Sequence, residues 1–445
     1  MNREFKENLF ARAKEEGFEA YEIYYLSKAN TSVMVSEGEV ESHEINSSDT
    51  LCFRGIIAGK MGYAYTEKFD EEAVEMLVAS AKECALLVEK EDKEIIYTGE
   101  ESYASISSYD EAVANLDTHA HIAMALELEQ KAKEIDKNIF KIAECGIEVA
   151  TASVSLINSN GVDLSHTQSY ISAYVEPVAQ DGEAMVNGGE VITVTSLDRL
   201  NIDELAEAAV INTIRKINAK SIPSGKYKAI FENDVMSSLL RAMQSSFFAD
   251  VMQEGKSLLK GKVGEMIASS KVNLIDNPLL VDGLGSRAFD DEGVGTKEKY
   301  IIKDGKFVGF LHNLKTAYKE GVQTTGNASK ESIASPVKVD STNLYIEKGS
   351  VNLEELLTKV GNGLYITELE GIHAGANSIT GDFSLATRGI LIKEGKLANG
   401  VKQITIAGNF FELLKTIEEV GNDFKFKGSI GSPSILIAEI AVAGE

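Results

Sequence analysis

The segment from Gly371 to Asn409 concentrates residues whose types could do chemistry. It reads GIHAGANSITGDFS, followed by the alternating run GILIKEG and then by QITIAGN. His373 is the imidazole in this segment, and Asn377, Thr380 and Asp382 supply hydrogen-bond donors and acceptors. Because glycine allows close backbone approach and positive φ angles, such a segment could hold an extended peptide against the mouth of a sheet. The alternative is a tight turn whose polar groups bond one another.

These strings resemble the C-terminal signature of the TldD/PmbA family, the so-called modulators of DNA gyrase. The likeness is closer to the PmbA (TldE) branch than to the TldD branch, and matching segments recur from about residue 20 to the end. The resemblance implies a subunit of a cytosolic zinc metallopeptidase complex. It also implies that the substrates are unfolded or short peptides, such as leader peptides and antitoxins.

In the TldD branch, the helix after the first strand of this half resembles H-E-x-x-x-H. Zinc needs such ligands, an open position for water and a nearby base. Aligned on GKVGEMIAS, the same six positions here read LRAMQS, so Leu240 and Ser245 replace the histidines and Arg241 replaces the glutamate. The cysteine expected before the glycine-rich segment is also missing, because no cysteine follows Cys145. The resemblance therefore implies no cofactor in this chain and zinc in a TldD-like partner.

Composition narrows the classes of function. With 69 acidic and 44 basic residues the net charge is −25, which argues against nucleic-acid binding because phosphate contacts need clustered Lys and Arg. The sequence has no apolar run long enough to span a membrane, and its first residues lack a signal-peptide core. Three cysteines without metal-site spacing are typical of reduced cytosolic thiols. We therefore expect a cytoplasmic protein without membrane or nucleic-acid partners.

Hydrophobic periodicity predicts an α+β fold with an N-terminal α/β half. The first module, residues 1–90, has a helix, an antiparallel meander with turns at Glu37-Gly38 and Gly59-Lys60, and a second helix. The second module, residues 91–220, has one long helix over 109–136, a hairpin turning at Asn158 to Gly161, and a closing helix. His119 and His121 on the long helix are two residues apart, which favours solvated side chains over a shared metal.

Pro223 and Gly225 mark the main boundary, after which residues 225–445 form the third module. Many short strands with glycine turns predict a curved, barrel-like, mainly antiparallel sheet. The strand KYKAIFE leads into a helix capped by Asn233 or Asp234, which runs through VMSSLLRAMQSSFFADVMQEG and packs its apolar face on the sheet. This helix carries the six zinc-motif positions.

One glycine-rich loop of the third module carries a cluster of acidic residues, whose carboxylate oxygens are the ligands that hard cations prefer. Its spacing does not fit the EF-hand calcium loop, which favours solvated acids over a metal site. The cluster consists of Asp282, Asp290, Asp291 and Glu292.

Three functional hypotheses remain open. The first is a non-catalytic, PmbA/TldE-like subunit that binds peptides and pairs with a TldD-like chain as a heterodimer, with a homodimer as the alternative assembly. The second is an independent metallopeptidase with unidentified ligands, against which the missing H-E-x-x-x-H motif argues. The third is a regulatory module that binds DNA gyrase through protein contacts.

Overall fold

The computed structural model describes residues 2–89 and 92–445. The predicted boundary between residues 90 and 91 lies outside these described residues. Both halves contain helices and runs of consecutive strands, in agreement with the α+β prediction. No helix in the described ranges combines the length and the apolar character needed to cross a membrane.

Long antiparallel strands build the N-terminal half. Their bounds are β1 Ala20–Ser36, β2 Glu39–Ile57, β3 Lys60–Thr66, β4 Ile139–Asn158, β5 Asp163–Asp181, β6 Ala184–Asn187 and β7 Glu190–Val194. They form one sheet in the order β3-β2-β1-β4-β5-β6, with β7 also paired to β5. Since β1 pairs with β4, the first two predicted modules contribute strands to the same sheet, and their division into 1–90 and 91–220 stays a prediction.

The hairpin turns follow local turn chemistry closely. Glu37 and Gly38 both have positive φ angles (54° and 81°), as the favoured two-residue hairpin turns require. The next turn lies at Ala58-Gly59, one residue before the predicted position, because β2 continues to Ile57 and β3 begins at Lys60. The predicted β4–β5 hairpin is confirmed.

Helices cover the N-terminal sheet in two groups with separate cores. Their bounds are α1 Arg3–Glu15, α2 Glu71–Leu87, α3 Glu111–Ala114, α4 Thr118–Ile135 and α5 Ile202–Ile214. The single long helix predicted over 109–136 is wrong, because Asp117 caps α4 by accepting from the backbone N–H groups of His119 and Ala120. His119 is exposed as expected, whereas His121 is buried on the packed side of α4.

Short strands dominate the C-terminal half, as predicted. Their bounds are β8 Gly225–Phe231, β9 Leu274–Asp276, β10 Lys299–Lys303, β11 Lys306–Phe307, β12 Ala328–Ser329, β13 Lys338–Val339, β14 Leu344–Ile346, β15 Gly363–Glu370, β16 Asp382–Lys393, β17 Lys396–Asn409, β18 Ile417–Val420, β19 Lys425–Lys427, β20 Ile430–Ser432 and β21 Ile435–Ala443. Strands β17, β16, β15, β8 and β21 pair in that order, and β21 pairs back to β17. This closes a five-stranded barrel and confirms the predicted curved sheet.

Helices of the C-terminal half lie against this barrel and against a second, six-stranded sheet. Their bounds are α6 Asn233–Met243, α7 Ala249–Gln253, α8 Leu314–Glu320, α9 Leu353–Val360, α10 Ile372–Gly375 and α11 Phe410–Lys415. The predicted cap at Asn233 or Asp234 is wrong, because the N-cap position is Glu232 and its side chain makes no capping bond. The apolar face of α6 packs into the large core, as expected.

The helix predicted to continue through Gly255 ends at Met243. A short 3-10 turn follows, and Phe248 adopts extended backbone angles. The extended residue forms a bridge with Leu311, and the Ala249 N–H donates to the Leu311 carbonyl at 3.0 Å. Backbone pairing with a distant segment therefore replaces one turn of helix at this point.

Candidate functional site

The zinc-motif positions lie at the end of α6 in three different environments. Leu240 is 1% exposed and belongs to the large apolar core. Arg241 is exposed, and its Nη2 atom donates to the carbonyl of Lys427 at 2.5 Å. Ser245 is half-buried in the 3-10 turn beyond the helix end. Because α6 stops at Met243, these positions do not share one helical face.

The glycine-rich segment is braced by its own polar side chains. Asn377 Oδ1 accepts from the backbone N–H groups of Ile379 and Thr380 at 2.9 and 3.3 Å. The Thr380 hydroxyl accepts from the Asp382 N–H at 3.3 Å, and the Asp382 carboxylate accepts from the Asn409 amide at 2.9 Å. The Asn409 amide is the main cause of a pKa of Asp382 below its ordinary value. These bonds give Asn377, Thr380 and Asp382 a structural use.

Two contacts anchor this segment to the rest of the C-terminal half. The buried Ser246 hydroxyl, which follows α6, donates to the Ser378 carbonyl at 2.6 Å. At Gly375 a Cβ atom would lie 2.4 Å from the Ser384 carbonyl oxygen, so the close approach of α10 to β16 requires glycine. The turn after α6 and the glycine-rich segment are therefore held together.

Arg241 and His373 line one cleft of about 600 Å³. Ser238, Leu369 and Lys427 complete much of its wall. The structure thus places Arg241, the motif position that replaces the glutamate, in the same cleft as the predicted substrate-binding residue His373. It leaves Leu240 in the core and does not place Asn377, Thr380 or Asp382 in the lining of this cleft.

Two further clefts adjoin the first between the N-terminal sheet and the C-terminal half. One, of about 520 Å³, shares Arg241 and also borders β1, β4 and β5. The other, of about 460 Å³, shares Ser238, Leu369 and Lys427 and borders β5 and β7. We call the three together the inter-half groove. Its continuous length suits an extended chain segment rather than a small compact ligand.

Sequence reasoning did not single out Lys427, although this residue holds Arg241 in place. The two residues are 186 positions apart, and Lys427 precedes a glycine turn between β19 and β20 that carries no chemical signature. A charged residue next to a turn glycine was the available signal, but such residues are common on protein surfaces.

The residues at the motif positions do not fit a zinc ion. Leu240 offers hydrocarbon, Arg241 offers a cation and Ser245 offers a neutral hydroxyl, whereas zinc binds thiolate, neutral imidazole or carboxylate. Within residues 2–89 and 92–445, no group of three or more His, Cys, Asp or Glu side chains is placed to hold a metal.

The acidic loop is not solvated as expected, since Asp290 and Glu292 are buried. Asp290 accepts from three backbone N–H groups, those of Glu292, Val294 and Ala328, at 2.9 to 3.0 Å. Glu292 accepts from the Leu314 N–H at 2.9 Å. The other two acids form ion pairs, Asp291 with Arg287 at 3.4 Å and Asp282 with Arg199 at 2.6 Å.

The buried carboxyl of Glu292 predicts a specific pH dependence. Burial raises its pKa to about 7, although Arg54 opposes the shift. The folded state therefore binds this proton more tightly than the unfolded state, and the contribution to stability falls as the pH rises between about 4 and 7. We expect the stability of Glu292→Gln relative to the unmutated protein to increase across that range, measured by denaturant unfolding. Parallel pH profiles for the two proteins would contradict this assignment.

Comparisons with known proteins give the same family for three successive segments of the chain. Residues 21–85 match the model of the PmbA/TldA metallopeptidase domain 1, residues 111–217 match that of the central domain, and residues 224–444 match that of the C-terminal domain.

Similar proteins extend this match along the chain. A crystal structure of a protein from Thermotoga maritima, described as a modulator of a DNA gyrase, superposes with a TM-score of 0.92 at 31% identity over 99% of each chain. The metalloprotease PmbA of Escherichia coli O157:H7 is 26% identical over 95% of this chain and 92% of its own length. A metalloprotease of Methanothermobacter thermautotrophicus is 29% identical over 62% of this chain and 61% of its own length. The chain belongs to the PmbA/TldD metallopeptidase family.

Proposed function

We propose that this chain is the non-catalytic, PmbA/TldE-like subunit of a cytoplasmic zinc peptidase complex. In this proposal a TldD-like partner holds the zinc ion, and the present chain holds none. The substrates are unfolded or short peptides, such as leader peptides and antitoxins. The inter-half groove presents these peptides to the partner.

The observation that carries the proposal is the state of the motif helix. Its position for the first zinc ligand is occupied by Leu240 in the apolar core, and Arg241 occupies the position of the base. The surrounding cleft is nevertheless open and lined by His373 and Arg241. A binding groove without its metal ligands fits a substrate-holding subunit better than an independent peptidase.

The same observation favours a heterodimer over a homodimer. A second copy would bring the same Leu, Arg and Ser side chains, so neither copy would supply zinc ligands at these positions. A TldD-like chain, which by resemblance carries H-E-x-x-x-H, would supply them.

The test uses the purified full chain, a purified TldD-like chain and their mixture, with an unstructured peptide as substrate. We expect no stoichiometric zinc by elemental analysis in the present chain, little cleavage by it alone, and chelator-sensitive cleavage by the mixture. One tightly held zinc per copy with chelator-sensitive cleavage by this chain alone would overturn the proposal. A pull-down from the native host that recovers gyrase instead of a TldD-like chain would favour a regulatory role.

His373→Ala tests whether the groove holds substrate. Because His373 is exposed, we expect unchanged thermal stability and about tenfold weaker kcat/KM of the mixture, which corresponds to loss of about 1.4 kcal/mol of transition-state binding.

Asn377→Ala is the matched comparison from the same segment. It removes the acceptor for two backbone N–H groups and is expected to lower stability by about 1 kcal/mol. Unchanged cleavage and unchanged assembly in both variants would mean that the glycine-rich segment has only a structural role.

A further inference from the structure

The central cleft of the inter-half groove has a charge opposite to that of the chain as a whole. The chain carries 69 acidic residues against 44 basic ones. The cleft around Arg241 and His373 also contains Lys427, and no Asp or Glu is among its lining residues. A cationic cleft on an acidic protein attracts small anions selectively, because low-dielectric walls focus the local field.

The cations of this cleft lack carboxylate partners in the described chain. Neither Arg241 nor Lys427 has an Asp or Glu oxygen within the 4.0 Å ion-pair distance in residues 2–89 and 92–445. Burial lowers the pKa of the Arg241 guanidinium, and Asp340 opposes this from beyond ion-pair distance. In the cleft of about 460 Å³, by contrast, Arg215 is paired with Glu232 at 3.0 Å.

The geometry of Arg241 suits a carboxylate ligand. One of its terminal nitrogens donates to the Lys427 carbonyl, which restrains the guanidinium beside the cleft. A restrained guanidinium presents its remaining N–H groups as a planar fork, which matches the two oxygens of a carboxylate. Lys427 accepts this bond through its backbone carbonyl, and its side-chain ammonium adds a second positive charge to the cleft.

The cationic character continues into the adjoining cleft of about 520 Å³. Lys28 and Lys330 line it, and neither forms an ion pair with a carboxylate in the part of the chain that the structure describes. Lys330 Nζ instead donates to the Ser335 carbonyl at 3.1 Å. The acid in this lining, Asp291, is already engaged by Arg287 at 3.4 Å.

From these observations we infer that the groove around Arg241 and Lys427 is a carboxylate-binding subsite that selects peptides carrying acidic groups. The inference rests on the proposed function and names its substrate class. Acidic side chains and a peptide C-terminus offer the same carboxylate chemistry. A nucleic acid is a poorer fit, since a long polyanion would meet the acidic outer surface of the chain.

Binding of fluorescent peptides to the full chain alone tests this inference without zinc or a partner. Three peptides of equal length are compared: an acidic one with an amidated C-terminus, a neutral one with a free C-terminus, and a neutral amidated one. Tighter binding of the first assigns the subsite to side-chain carboxylates, and tighter binding of the second assigns it to the C-terminus. Equal binding of all three, or equally tight Arg241-dependent binding of single-stranded DNA, would overturn the inference.

Variants locate the binding. We expect Arg241→Ala and Lys427→Ala each to weaken binding of the preferred peptide about tenfold, as for loss of a charged hydrogen bond. Lys427→Ala retains the backbone carbonyl that Arg241 uses, so it separates charge from local structure. The matched control is Lys396→Ala, an exposed lysine at the start of β17 that should leave binding unchanged. If both cleft variants bind like the control, the subsite is refuted.

The two proposals fail separately. Selective, Arg241-dependent binding without cleavage by the mixture with a TldD-like chain would refute the subunit role alone. Cleavage of neutral amidated and acidic peptides at equal rates, unaffected by Arg241→Ala, would refute the subsite alone.

Discussion

Glu22→Ala is expected to lower the free energy of unfolding by about 3–5 kcal/mol, because it removes one partner of a buried ion pair. Glu22 and Arg54 lie opposite each other in the β1–β2 register, 1% and 3% exposed, with their charged atoms 2.7 Å apart. Without Glu22, the carboxylate left to the guanidinium among residues 2–89 and 92–445 is the more distant Glu292, at 3.7 Å, from the C-terminal half. The buried guanidinium, which has lost its close partner, causes most of the expected loss.

Glu7→Ala is the matched control for this measurement. Glu7 and Arg3 form an equally short pair at 2.6 Å, but their side chains are 56% and 86% exposed. We therefore expect a change below about 1 kcal/mol in denaturant unfolding. The double replacement Glu22→Leu with Arg54→Met should be less harmful than Glu22→Ala, because the buried guanidinium is removed together with its close partner. Equal losses of unfolding free energy for Glu22→Ala and Glu7→Ala would contradict this prediction. They would show that burying Arg54 without its close partner costs no more than breaking an exposed pair.

Leu240→Ala should have a comparable effect, about 2–5 kcal/mol, because it leaves a cavity under α6. Leu240 is 1% exposed and packs in the core with its helix neighbours Met236 and Met243. This position corresponds to a zinc ligand in the resemblance to the TldD branch. A large loss would mean that the side chain here has become part of the core.

Ser238→Ala on the same helix is the control. Its hydroxyl donates to the Asp234 carbonyl one turn earlier at 2.8 Å, a bond that contributes little to helix stability. Denaturant unfolding of this variant should stay within about 0.5 kcal/mol of the unmutated protein. If Leu240→Ala were equally mild, the motif helix would not depend on this core contact.

Much of the fold follows from local chemistry that a sequence displays. Turn residues with accessible positive φ angles placed the Glu37-Gly38 hairpin correctly. The alternating apolar residues of the run GILIKEG and of QITIAGN predicted strands where β16 and β17 lie. The helical period of apolar residues predicted the buried face of α6. Such features depend on neighbours within a few residues, so one sequence is enough to find them.

Breaks within helical patterns were harder to predict. The patterns over 109–136 and beyond Met243 are periodic, yet both helices are interrupted. Asp117 ends the first pattern by capping a new helix, and pairing of Phe248 with Leu311 ends the second. Local propensity differs little between the alternatives, and contacts made elsewhere decide between them.

For the site, the sequence by itself identified the family signature, His373, and the replacement of zinc ligands by Leu240, Arg241 and Ser245. Only the tertiary structure decided which of these residues share a cleft. It buried Leu240, placed Arg241 and His373 in the lining of one cleft, and brought in Lys427 from the end of β19, far along the chain. The physical reason is that identity and spacing are local properties, whereas burial and charge pairing depend on where the chain folds back.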